Sequence, residues 1–129
     1  MVEVKIDTAF LDSLKEQAKA SPRLRMNYDL RTSSTDTSQR MLNALMPSTE
    51  VSIHRHEETS ETVVCLCGRL EEIFYEEADG GEFKETARYL LCPAEGKYGI
   101  QIPKGVWHTI NVFEPSVIFE AKDGAYQSR

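Results

Sequence analysis

The sequence predicts an all-β fold, a sandwich or barrel of many short strands preceded by one short helix. Two observations carry this. After Pro47, β-type segments follow one another at roughly ten-residue intervals: "EVSIHRH", "ETVVCLCG", "RLEEIFYEE", "EFKETARYLL", "YGIQIP", "VWHTINVF" and "SVIFEAK". Turn signals punctuate them at Gly68, "DGG" 79–81, "PAEG" 93–96, "PKG" 103–105 and "EP" 114–115.

The helix is expected from Asp7 to Ala20. Asp7 or Thr8 supplies a cap, Phe10, Leu11, Leu14 and Ala18 share a stripe, and "SP" at 21–22 stops it. "RLRMNYDLR" (23–31) then changes period. Leu24, Met26, Tyr28 and Leu30 alternate with Arg23, Arg25, Asn27, Asp29 and Arg31, the pattern of a half-buried strand. A polar loop, "TSSTDTSQ", follows. "RMLNALMP" (40–47) has helical propensity, while its length and Pro47 also permit a strand.

A chain of 129 residues is one domain by length, able to bury a core without disulfides. Its 15 basic and 21 acidic residues give a charge of −6, which argues against nucleic acid or an anionic membrane surface as partner. No run approaches the roughly 18–20 apolar residues of a membrane span. The opening "MVEVKIDTAF" lacks a signal-peptide layout, and the three cysteines (Cys65, Cys67, Cys92) show no CxxC spacing, so a reducing cytoplasm is the expected compartment.

The chemistry concentrates in "SIHRHEETSETVVCLCG" (52–68). The chain holds three histidines, His54, His56 and His108. On a strand, His54 and His56 project from one face with Cα atoms about 6.5–7 Å apart, so both rings can converge on one ion. Glu61 opens the next strand and offers a carboxylate. His108 follows the "PKG" turn and reaches the same ion if the sheet curls into a barrel. Three imidazoles and a carboxylate suit one divalent metal ion: Zn, Fe(II), Mn, Ni or Co.

These residues resemble the two cupin motifs. His54, His56, Glu61 and Gly68 fit H-x-H-x4-E-x6-G, and Pro103, Gly105 and His108 fit P-x-G-x2-H. Ser48 and Lys97 stand where each motif's leading glycine is usual, and Asn111 falls one residue early. More of the chain, from "RLRMNYDLR" and "QRMLNALMP" through "HRH…TSET" to "FEAKDGAY", is similar to the WbuC-type cupin-fold metalloproteins of bacterial surface-polysaccharide gene clusters. The resemblance implies a cupin jelly-roll barrel, with a helical segment at 1–22, a barrel over 23–122 and a tail at 123–129. It also assigns residues 40–47 to a strand, His54, His56, Glu61 and His108 to the metal, and a homodimer paired through an edge strand.

Around the site, Arg25 and Asn27 read most simply as a solvated face, although the resemblance runs through them and implies a role at the cavity mouth. Lys122 and Tyr126 either reach an anionic or sugar ligand or finish the last strand. Cys65 and Cys67 share the strand parity of Glu61 and read as small hydrophobes of the barrel wall. Trp107 is expected to pack on the face opposite His108, Arg55 to point away from the metal, and the Glu pairs at 57–58, 71–72 and 76–77 to be solvated. The function implied is metal-dependent isomerase- or epimerase-like chemistry on a small oxygen-rich molecule such as a sugar, with Glu61 as ligand or base. An Fe(II) oxygenase and a non-catalytic ligand-binding cupin are the alternatives.

Overall fold

A computed structural model describes residues 3–124. Helix α1 (Thr8–Ala20) is capped by Asp7, whose carboxylate accepts the Phe10 amide at 2.9 Å. The chain leaves the helix at Ser21 in an extended conformation, as a following proline requires. The strands are β1 (Arg25–Asp29), β2 (Ser38–Leu45), β3 (Glu61–Glu77), β4 (Phe83–Leu91), β5 (Gly99–Ile102) and β6 (Trp107–Asp123). They run antiparallel in the order β1-β2-β6-β3-β4, with β5 also on β3. This is the all-β cupin barrel that the sequence predicts, with residues 40–45 in a strand. No helix among the described residues is long and apolar enough to cross a membrane.

The turns expected at Gly68 and "EP" are not turns. β3 and β6 each run through them for 17 residues, and register shifts between Cys65 and Leu70 absorb the bend. The first half of β3 pairs with Lys122–Val117 of β6 and with β5. Its second half pairs with Glu114–Trp107 of β6 and with β4. Two long, bent strands thus belong to both faces of the barrel, with bulges where they turn.

Two apolar clusters result. Leu45, Val63, Cys65, Leu70, Leu91, Ile102, Val112 and Ile118 fill the barrel interior. Leu14 and Ala18 of α1 pack on Leu42, Ala44, Met46 and Val117, with Leu24, Met26, Tyr28 and Leu30 around them. The apolar side of β1 therefore faces the helix outside the barrel, and its polar side faces inward. β2 is covered on both sides, with Leu42 and Ala44 under the helix and Gln39, Met41, Asn43 and Leu45 facing inward, which is why its sequence lacks a clean strand period.

Bulging also separates the two cysteines expected to face one way. Cys65 sits in the barrel core, and Cys67 packs in the cluster under the helix. Burial pushes the Cys65 thiol up to about 12. Iodoacetamide at pH 8 is therefore expected to leave Cys65 unlabelled in the native protein and to label it in urea, read by peptide mass spectrometry. Labelling of native Cys65 would contradict its burial.

Candidate metal centre

His54 and His108 are brought together by backbone bonds. His54 N donates to His108 O at 3.0 Å, and His108 N donates back to His54 O at 2.8 Å. The strand expected over 50–56 is otherwise absent. Its backbone groups are met from elsewhere: Arg25 donates to Glu50 O at 2.6 Å, Thr109 Oγ1 donates to Val51 O, and Gly105 N donates to His56 O at 2.7 Å. His54 and His56 still converge, because backbone bonds from His108 and from the 103–105 turn hold the segment at both residues.

Candidate ligand atoms of His54, His56 and His108 lie within 4.8 Å of one another. Ring centroids are 4.3 Å apart for His54 and His108, 5.4 Å for His54 and His56, and 5.8 Å for His56 and His108. His54 Nδ1 lies 2.8 Å from Ser52 O, and His108 Nδ1 lies 3.0 Å from Val106 O. A carbonyl only accepts, so each Nδ1 carries the hydrogen, and in the neutral ring this leaves the Nε2 lone pair for a metal. Such carbonyl contacts are how metal-binding histidines are oriented.

Glu61 is buried, with Oε2 3.3 Å from His56 Nε2 and Oε1 3.8 Å from His108 Nε2. Burial alone would raise its carboxyl; His56, His108 and His54 outweigh burial and hold it below the usual carboxylate range. Beyond this ion-pair contact with Glu61, His56 Nε2 is buried with no hydrogen-bond partner among the described residues. Three convergent imidazoles, an ionised carboxylate and an orphaned ring nitrogen fit one divalent ion. Nitrogens bound to one ion at about 2.1 Å are at most about 4.2 Å apart, so closing the widest separation takes only a small side-chain movement.

The cluster opens into a cavity of about 120 Å³, well below the roughly 300–1,000 Å³ of drug-sized sites. Arg25, Asn27 and Lys122 line it, so the polar side of β1 is a cavity wall and not simply a solvated face. Tyr126 lies outside the described residues. Trp107 packs on Phe83, with ring centroids 5.0 Å apart, and Arg55 stacks over the Trp107 ring at 4.4 Å, away from the histidines as expected.

Gln39, Asn43, Glu72 and Glu120 also line the cavity, and sequence reasoning missed them. Glu72, expected to be solvated, is 2% exposed. On an unbroken strand the inward set 61, 63, 65 would continue to 69 and 71. The register shifts move it to Leu70 and Glu72, leaving Glu71 to pair with Arg88. Burial first, then the charges of Glu61 and Glu120, raises the Glu72 carboxyl well above its usual value. A carboxyl raised on folding contributes stability that is fully present below the unfolded pKa and is lost as pH rises through the folded value. Metal-free Glu72→Gln is therefore expected to gain stability over the wild type as pH increases from 4.5 to 8. The gain should grow by about 1.4 kcal/mol for every pH unit over which Glu72 is ionised in the unfolded chain and still protonated in the fold. Urea unfolding at both pH values reads it. A difference independent of pH would show that Glu72 is not held protonated.

Fold and histidine cluster together define the class: a cupin barrel whose three histidines can hold a metal ion beside a polar cavity. The family described as "Domain of unknown function (DUF6016)" matches residues 6–88, and the chain belongs to it. No curated protein matches the chain. Among solved structures, the capsular polysaccharide assembling protein CapF from Staphylococcus aureus is similar at a TM-score of 0.62 and 18% identity, over 83% of this chain and 30% of CapF. KdgF from Halomonas sp. is similar at 0.59 and 14% identity, over 83% and 84% of the two chains. A dTDP sugar isomerase from Desulfovibrio desulfuricans G20 is similar at 0.59 and 15% identity, over 78% and 68%. The chain spans less than a third of the length of CapF, and these likenesses carry the fold alone.

Proposed function

We propose that the chain is a divalent-metal cupin acting on a sugar or another small oxygen-rich molecule, by isomerase- or epimerase-like chemistry, in bacterial surface-polysaccharide biosynthesis. The observation that carries this is the convergence of His54, His56, His108 and Glu61 at one polar cavity. The resemblance to WbuC-type proteins supports the biosynthetic setting, as does likeness to proteins described as a capsular polysaccharide assembling protein and a dTDP sugar isomerase.

In this reading the three histidines and Glu61 hold the ion, which supplies Lewis-acid polarisation of a substrate oxygen when bound. To serve as base, Glu61, held below the usual carboxylate range by the rings beside it, lets go of the ion, takes a proton from the carbon next to a carbonyl and returns it to a neighbouring carbon. Arg25, Asn27 and Lys122 bind the substrate at the cavity mouth, and the buried wall limits water around the exchanging proton.

The test is deuterium exchange. Protein loaded with Mn, Ni, Co or Zn is incubated in D2O with a panel of free and nucleotide-linked keto sugars, and substrate C–H signals are followed by NMR. Exchange that Glu61→Gln reduces at least a hundredfold is expected. Absence of exchange across the panel removes the isomerase reading, and oxygen uptake by the Fe(II) form would favour an oxygenase instead.

A further inference from the structure

Four buried side-chain atoms lack a hydrogen-bond partner among the described residues: Gln39 Oε1, Asn43 Oδ1, His56 Nε2 and Glu72 Oε2. All four residues line the one cavity beside the histidines. An unpaired buried polar atom costs about 1–3 kcal/mol, so such atoms gathered in one place point to a ligand that satisfies them. His56 Nε2 belongs to the metal site. The other three are oxygens, and none of them is accounted for by a metal held at the histidines.

We propose that Gln39, Asn43 and Glu72 form a hydroxyl-recognition wall that seats one neutral, monosaccharide-sized polyol next to the metal centre. The proposal rests on the metal reading above and adds the ligand class and the residues that select it. Strand register sets the layout. Gln39 on β2 lies opposite Lys122 on β6, which lies opposite Glu61 on β3. With strands about 4.8 Å apart, Gln39 stands on the order of 10 Å from the Glu61 backbone. Asn43 is four residues further along β2, next to Ile118, and its amide nitrogen donates to Glu120 at 3.5 Å. Acceptors therefore run along the wall over a length suited to a ring bearing several hydroxyls rather than to one ion or water.

Hydroxyls are the chemistry these atoms ask for. Each can donate to an amide or carboxyl oxygen, and each can accept if an amide turns its nitrogen inward. A carboxylate or phosphate offers only acceptors and would meet Gln39 and Asn43 oxygens together with the Glu61 and Glu120 carboxylates. Arg23, Arg25 and Lys122 line the same cavity as counterweights, and the Arg25 guanidinium already donates to Glu50 O at 2.6 Å and to Thr49 Oγ1 at 3.4 Å.

The experiment uses the full chain loaded with Co(II), whose visible spectrum reports the metal shell. D-glucose, D-galactose and D-mannose are titrated by calorimetry beside D-glucuronate and inorganic phosphate. At least one hexose is expected to bind more tightly than either anion. Gln39→Leu and Asn43→Leu are each expected to weaken that hexose at least tenfold, with metal stoichiometry and the cobalt spectrum unchanged. Glu72→Gln, which keeps a hydrogen-bonding group, is expected to lose less than threefold. Unfolding midpoints no lower than wild type in the Leu variants would show that they fold; Asn43→Ser and Gln39→Met serve if either does not. Hexose affinity unchanged in the variants, tighter binding of the anions, or no hexose binding by the cobalt form overturns the wall. Failure to take up cobalt would instead strike the metal reading, and it is read separately by elemental analysis.

Discussion

His54→Ala and His108→Ala are each expected to reduce bound metal from one ion per chain to less than about a tenth of an ion after gel filtration. Such removal is severe because the cluster has little redundancy. Three imidazoles and one carboxylate are the donors at the convergence point, and losing one ring leaves too few to hold a borderline divalent ion against exchange. Even loss of an orienting partner typically lowers affinity by about 10–100-fold, and loss of a ligand exceeds that. His108 is 3% exposed and bonded through its backbone to His54, so its replacement also leaves a small internal void. Circular dichroism therefore accompanies the elemental analysis, and His108→Gln provides a fuller side chain if the alanine variant is unstable. Glu61→Gln should retain part of the metal, because three ring nitrogens remain. Full occupancy in both histidine variants would sink the assignment.

The metal cluster is legible in the sequence because motif spacing survives changes in the local backbone. His54 and His56, expected on a strand, lie instead on an irregular segment pinned by Arg25, Thr109 and Gly105, yet they still meet His108. The cavity wall is not legible, because the usual association of apolar with inside is reversed in β1. There Met26 and Tyr28 pack under an external helix, while Arg25 and Asn27 turn toward the cavity. Alternation in a single sequence shows that a strand has two sides but not which side is enclosed. Glu72 is hidden for a different reason. Strand parity counted from Glu61 holds only until the first bulge, and beyond it the reading is off by one. The short strand at 38–45 shows the same limit for propensity: burial on both faces outweighs its helical preference.

Gly68→Ala is expected to cost about 2–5 kcal/mol. Gly68 sits where β3 changes register against β6, with φ at +97°, a region that L-residues with a Cβ avoid. Its partner strand crosses very closely. A Cβ built on Gly68 would lie 2.2 Å from Ser116 Oγ, 2.5 Å from Pro115 O and 2.7 Å from Ser116 Cα. Two of these are backbone atoms and cannot rotate away. Ser116 is fully buried, its hydroxyl accepting from Arg69 N at 3.0 Å and donating to Glu114 O at 2.7 Å, so moving it breaks two bonds at the bend. Left-handed backbone contributes about 1–2 kcal/mol, and overpacking adds about 1–3 kcal/mol. Gly96→Ala separates the two effects, since Gly96 has φ +75° but no atom within 4 Å of an added Cβ. It should cost only the backbone part. Equal losses in urea unfolding for the two variants would mean that the long strands do not approach each other this closely. A larger loss at Gly68, together with lower metal retention, would tie the bend to the site, because the same two strands carry Glu61 on one and His108 on the other.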